Sequence, residues 1–451
     1  MVNWLLRAGF GKSAGLGLAI AGVLVCALPT ARAQVNAAAK QDSSRKEKER
    51  PLPDRIPEKP SLPPVFTIPV EPIGFTAPSA SYLGARISLA SLDFLDEDRL
   101  LFTFRVPGLI LREPGAGADS DERQIRAVVV ALPEGKVESE ALWTVHDRVR
   151  YLWMLSDGHF LLRDRDGLQQ GDAKLELKPL LQFPGPLLWL ELDPTQQFMV
   201  TNSREPAATA TKLGQVLSPE SATASITVGG QEAGSKTDLV VRILHRESGR
   251  VMLVSRVPAT VHLPINSEGY LDSLRGKGQQ WLLNLNYFSG GSKVLGRVDS
   301  TCSPAIDFVS QREVLVTACN GENGRRLVAM DTGGRLLWED STSASTIWPL
   351  VVMGPNGTRL AQETLAINHT VNTYQPIGWD DVKGQFVRVF DAANGKVALE
   401  TPTSPVLDSG GNVAISPSGR RVAVLNAGAI QVFDLPEPPP LTDTDGNQAG
   451  H

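Results

Sequence analysis

Cys302 and Cys319 are the side chains whose spacing points most directly to chemistry. They flank a hairpin-like stretch, IDFVSQREVLVTA from Ile306, and a two-residue turn at Ser310-Gln311 would set them face to face. Directly opposed residues of an antiparallel pair lie within disulfide reach. A structural disulfide is therefore expected, with a reduced pair as the alternative. Two cysteines without a nearby histidine make a poor metal site.

The six histidines, His146, His159, His245, His262, His369 and His451, show no H-x-H or H-E-x-x-H spacing, so no metal site is expected. Asp164-Arg165-Asp166-Gly167 and Asp443-Thr444-Asp445-Gly446 place alternate carboxylates before a glycine, as calcium loops do. Neither continues to a third carboxylate and a closing Glu, so the first reads as a β-turn and the second as a solvated tail. There is no G-x-S-x-G elbow, phosphate loop or dinucleotide glycine pattern. No cofactor is expected. The most ligand-like group is Tyr374, Trp379, Asp380 and Asp381, which combines stacking surface with carboxylates in the stretch 368–384.

The elements that must position these residues are short strands. Apolar residues make up 42% of the 451, enough for a large core, and the 41 Gly and 32 Pro break helices and populate turns. No segment keeps a 3.6-residue apolar period over three turns. Short apolar runs alternate instead with Gly, Pro, Asp, Asn and Ser clusters.

One unit recurs: apolar strand, tight polar turn, apolar strand. It begins at Leu92, Leu152, Leu190, Ile306, Val351 and Val413, with a degenerate copy between Val261 and Asn286 whose turn NSEGYLDSLRGKG expands. A second hairpin follows most copies, as in AVVVALPEGKVESEALWTV from Ala127 and LVVRILHRESGRVMLVSRV from Leu239. Two hairpins make a four-stranded antiparallel sheet, and seven such sheets cover each other's faces only by stacking radially. An all-β, seven-bladed β-propeller is expected, with Trp143 and Trp338 packed between blades.

RLVAMDTGGRLLWED from Arg326 and FVRVFDAANGKVALE from Phe386 resemble the repeats of WD40, YVTN and quinoprotein-type propellers. Phe390-Asp391 and Phe433-Asp434 stand where WD40 repeats have Trp-Asp. Quinone-dependent enzymes of that resemblance need an adjacent cysteine pair, which this chain lacks. The last copy stops after three strands, and PVFTIPVEPIGF from Pro64 is expected to supply the fourth and close the ring.

The expected organisation is a signal peptide over 1–33, a Pro-rich and charged disordered linker over 34–64, the propeller over 65–435 and a disordered tail over 436–451. Arg7 and Lys12, the apolar run Leu16–Leu28 and Ala31-Arg32-Ala33 carry the export reading, with an uncleaved anchor as the alternative. No other segment is apolar enough to span a bilayer. A net charge of −5 gives no argument for nucleic acid.

Three long insertions, 107–124, 203–237 and 368–384, fall between second and third strands of their blades. Those connections share one propeller face, where binding residues are commonly displayed. The expectation is an exported, monomeric, non-catalytic binding or scaffolding propeller, periplasmic or extracellular, that takes a protein or glycan on this face. The alternative is a lactonase-like hydrolase or lyase acting at the central channel, for which histidines would cluster at the axis. N-terminal sequencing of the exported protein should begin at Gln34; retention of Met1 would contradict the cleavage reading.

Overall fold

Hydrophobic alternation places each blade's apolar side chains on both faces of its sheet, and every face is covered by the next blade. In the computed structural model, residues 56–441 are described apart from 78–88, 109–121, 147–149, 206–226, 229–230, 233–238, 258, 322–323, 343–345, 370–376 and 408–410. The expected signal segment, Tyr374 and His451 lie outside the described residues.

Blade 1 is built from Ser91–Phe94, Arg99–Arg105, Arg123–Ala131 and Lys136–Val145. Blade 2 follows with Leu152–Met154, Phe160–Asp164, Gly167–Gly171 and Leu177–Gln182. Blade 3 uses Leu187–Leu192, Phe198–Arg204, Leu239–His245 and Val251–Val257. Blade 5 comprises Ala305–Phe308, Glu313–Asn320, Gly324–Asp331 and Leu336–Thr342, and blade 6 Thr346–Met353, Arg359–Ile367, Val382–Asp391 and Val397–Thr403. All pairings are antiparallel, in chain order outward from the axis.

Blade 4 corrects the sequence reading. Gly269–Arg275, Gln280–Tyr287 and Ser292–Asp299 form its outer three strands. Residues 270–275, expected within an expanded turn, are a paired strand whose Asp272 accepts from Asn284 across the ladder at 3.0 Å. The turn is the short Asn266–Gly269. The innermost position is filled by an extended segment reduced to a single bridge, Ile265 to Tyr270, because Pro264 has no amide donor. Blade 7 combines Val413–Ile415, Arg421–Asn426 and Ala429–Asp434 with Phe66–Pro69 as its outermost strand, in the order that closes the ring. Phe66 pairs with Val432 and Pro69 with Ala429.

One apolar cluster fills each blade interface. Leu101, Val129 and Trp143 of blade 1 meet Leu152 and Phe160 of blade 2, while Phe102, Val128 and Val130 face Ala423 and Val432 of blade 7. This is the two-residue period of a strand put to use on both sides. Trp143 and Trp338 are buried as expected, and Trp338 stacks on Phe390 at 6.1 Å and donates to the Ala392 carbonyl. Gly395, at φ +69°, lets the chain pass over that indole, where a Cβ would sit 2.6 Å from the ring.

The fourth strands of blades 1, 3, 5 and 6 carry a bulge within two pairs of the turn that enters them, and those of blades 2 and 4 carry one a pair further along. Turns such as Gly334-Arg335-Leu336 and Gly395-Lys396-Val397 precede it. Bulges and basic residues on outer strands discourage edge-to-edge pairing.

Cys302 and Cys319 form a disulfide with Cα atoms 5.5 Å apart. The register differs by one from the expected one: Ile306 pairs with Val316, and Val309 closes on Glu313 around a three-residue loop. Cys302 reaches Cys319 because residues 301–304 run outside the strand.

The packed body also extends past the 65–435 span. Ser61 exchanges two hydrogen bonds with Glu400 of blade 6, and Leu62 packs on the blade 6–7 cluster. At the other end Pro436 accepts from Arg359, and Leu441 joins the blade 5–6 cluster. Prolines in both segments left the sequence without strand signals.

A buried acid ties blade 6 to blade 7. Glu363 receives a hydrogen bond from Gln385, whose amide also brackets Leu407 at 2.9 Å in both directions, and Asn412 packs beside them. Burial pushes the Glu363 carboxyl up from 4.5 to about 8, against the hydrogen bonds from Gln385 and Asn412. An acid with a raised folded value stabilises below its unfolded value, and that stability is lost as pH climbs toward the folded one. The loss is on the order of 5 kcal/mol between pH 4.5 and 8. Glu363→Gln should flatten this slope in chemical denaturation; parallel pH profiles for both proteins would contradict the assignment.

Candidate functional site at the propeller axis

The first strand of each blade borders the axis. Three of them carry an acid between two apolar residues: Leu92-Asp93-Phe94, Leu190-Glu191-Leu192 and Ile306-Asp307-Phe308. The flanking residues sit in the blade-interface clusters, which turns the acid between them toward the axis. The three acids occupy one level, each two residues before the residue that closes the tight turn: Leu95 onto Arg99, Asp193 onto Phe198, Val309 onto Glu313. Trp153, Pro264, Val352 and Ala414 hold the same position in the other blades. A ring of carboxylates from blades 1, 3 and 5 results.

His262 enters from blade 4, two residues nearer the opposite mouth. Its Nδ1 lies 3.0 Å from Glu191 Oε2, and its Nε2 lies 3.3 Å from Asp307 Oδ1 and 2.9 Å from the Ile306 carbonyl. The backbone beside it is fixed by Asn202 of blade 3, whose amide accepts from Val261 N at 3.0 Å and donates to Val261 O at 2.9 Å. On the turn face Gln311 binds Asp193, Asn266 and Ser267, tying blades 3, 4 and 5 together.

Burial opposes a charge on His262, but Glu191 and Asp307 outweigh it, so its pKa stands well above 6.5. Burial raises the Asp307 carboxyl, and His262 partly offsets this. The surroundings thus favour the imidazolium form, with a carboxylate at ion-pair distance from each ring nitrogen and the Ile306 carbonyl as the hydrogen-bond acceptor of Nε2. Glu191, His262 and Asp307 have the residue types and separations of a metal-ligand group. Each ring nitrogen already faces its own carboxylate, so an ion would have to displace a proton and turn the ring.

Arg150 stands at the start of blade 2's first strand, on the mouth shared by blade-to-blade connections. Tyr151, next in sequence, is anchored to Leu89 O and Thr103 Oγ1 at 2.7 Å each. Arg150 Nε donates to Leu152 O at 2.9 Å, and the guanidinium lies 5.4 Å over Trp153. Its surface is open to water, yet burial depresses its pKa, with Asp93 and Glu191 acting the other way. A group lining a narrow wet channel has both properties. Asp93 accepts from Ser91 Oγ at 2.5 Å, and burial raises its carboxyl.

The residues singled out from sequence are placed elsewhere. Trp379, Asp380 and Asp381 form a single 3-10 turn. Trp379 packs on Leu365, Ile367 and Ile377, and Asp381 accepts from Gly378 N at 2.7 Å and pairs with His369 at 3.1 Å. Asp380 is exposed. Asp164, of the calcium-like stretch, is taken by the backbone and ring of His146. Turn residues alone do not mark the axial acids; their signal in the sequence is the apolar-acid-apolar triplet at one register of the repeat.

The raised His262 value stabilises the fold below pH 6.5, and the contribution disappears as pH rises through the folded value. His262→Gln should therefore cost more stability at pH 6 than at pH 10 in urea unfolding, by roughly 1–3 kcal/mol. An equal cost at both would refute the bridging imidazolium.

No family model matches the chain, and no curated protein matches it. Solved structures do. TolB from Acinetobacter baumannii is 14% identical over 72% of this chain and 75% of its own, with TM-score 0.36. The C-terminal WD40 domain of Sif2 is 10% identical over 80% of this chain and 100% of its own, at 0.39. Pyrococcus horikoshii acylaminoacyl peptidase is 10% identical over 81% of this chain and 55% of its own, at 0.41. Similarity at this level concerns fold alone. The chain is a seven-bladed β-propeller with TolB-type and WD40 propellers among its structural neighbours.

Proposed function

We propose that the protein is a binding or scaffolding propeller, exported to the periplasm or exterior, that engages a protein or glycan through the face bearing its long connections. The observation that carries this reading is topological. The connections Arg105 to Arg123, Arg204 to Leu239 and Ile367 to Val382 all join second to third strands. In an antiparallel blade such connections leave the sheet on the same side as the blade-to-blade segments. Three loops on one rigid face make a display surface.

The distribution of histidines supports binding over catalysis. His146 lies on Asp164, His159 on Asp157, His245 beside Ser248 and His369 on Asp381. Among the described histidines only His262 reaches the axis. A general base needs a free lone pair, and both nitrogens of His262 are committed. The disulfide supports an oxidising compartment. Among the described residues no helix is long and apolar enough to cross a membrane.

The test is a pull-down from envelope extract with the wild type and a variant in which 369–380 is replaced by a short Gly-Ser linker. Val382 and Gly384 are kept because they pair with Ile367 and Ala366. At least one partner should be lost from the variant while its far-ultraviolet circular dichroism shows the propeller still folded, the melting temperature falling only by what the removal of Ile377 and Trp379 from their local cluster costs. Identical recoveries would refute the loop-face reading.

A further inference from the structure

Among the charged groups at the axis, Arg150 is the least satisfied. Glu191 and Asp307 share His262, and Asp93 holds Ser91. Arg150 spends Nε on the Leu152 carbonyl, and its two terminal amino groups have no partner among the described residues. A guanidinium offers five N–H donors in a fork that matches a carboxylate. The side chain is exposed at the mouth, so those donors face solvent where a ligand can reach them.

Three further features aim this fork at a ligand. The Tyr151 anchor, hydrogen-bonded to Leu89 and Thr103, fixes the backbone beside it. The Trp153 ring underneath restricts the guanidinium plane. The position lies at the mouth on the loop-bearing face, and the imidazolium of His262 adds a second positive group along the axis. Asp93 and Glu191 act on the Arg150 charge through space without a hydrogen bond to it among the described residues, so its terminal N–H donors stay open.

We propose that Arg150 is the anchor of a ligand subsite at this mouth, binding a carboxylate presented by the molecule held on the loop-bearing face. This rests on the face proposed above and adds the chemistry recognised there. The carboxylate comes from an acidic side chain of a partner or from a small organic acid, and both present the same two oxygens to the fork.

Calorimetric titration of the full chain with succinate, and with the capped peptide acetyl-Gly-Glu-Gly-amide, separates the sources. Arg150→Gln should weaken whichever probe binds by roughly tenfold or more, and Arg150→Lys should fall between, since a point charge replaces a two-pronged contact. Lys396→Gln, on the opposite face, should bind as wild type. Peptide binding alone assigns an acidic side chain, and succinate binding assigns a free acid. Equal affinities in wild type and Arg150→Gln, or no binding of either probe by wild type at millimolar concentration, overturn the subsite. The wild type and the 369–380 linker variant, run in parallel, separate the two proposals. If the linker variant loses its partner while Arg150→Gln keeps its affinity, only this inference fails.

Discussion

Among the described residues every blade is buried on both faces, and that single requirement organises the rest. A strand with apolar side chains on alternate sides needs a neighbour on each side, and a ring is the arrangement in which no sheet is left over. The closing strand shows how much rides on this. Ile68, Val70, Ile73 and Phe75 all lie in the blade 7–1 interface. At about 1.5–3 kcal/mol for each side chain removed from water, they contribute an amount comparable to the roughly 5–15 kcal/mol net stability of a folded domain.

Burial on both faces leaves the inner edges as the place where polar groups can gather. The acids at Asp93, Glu191 and Asp307 sit where strand alternation turns one residue away from the blade interfaces. Three carboxylates at one level would repel each other in a confined channel, and two cations relieve this: His262 bridges two of them, and Arg150 stands within electrostatic reach of Asp93 and Glu191. The bridge also links three consecutive blades through side chains, so the axis contributes to the cohesion of blades 3, 4 and 5. The same balance leaves Arg150 with unspent donors.

Much of the fold was legible in the sequence because the repeat signals are local. The paired hairpins, the missing fourth strand of the last copy and the buried Trp143 and Trp338 all follow from alternation and turn residues. Blade 4 was misread because Asp272 and Ser273 resemble turn residues, whereas Asp272 is satisfied by Asn284 on the adjacent strand. The disulfide partners were legible, but not the register, which a three-residue loop shifted by one. Ser61, Leu62 and Leu441 were missed because a Pro-rich segment docked on a sheet has no periodic pattern. The axial site was the least legible. Its residues come from blades far apart in the chain, and His262 looked like one scattered histidine among six until its partners were placed.

Ring closure is the claim on which the account stands, and a designed cross-link tests it most directly. Thr67 and Gln431 are register partners in the closing pair. With Thr67→Cys and Gln431→Cys together, oxidised protein should yield a peptide joining positions 67 and 431 by mass spectrometry, beside the native 302–319 link. Quantitative recovery of the two new thiols unlinked, in protein that is folded, would contradict a ring shut by its N-terminal strand.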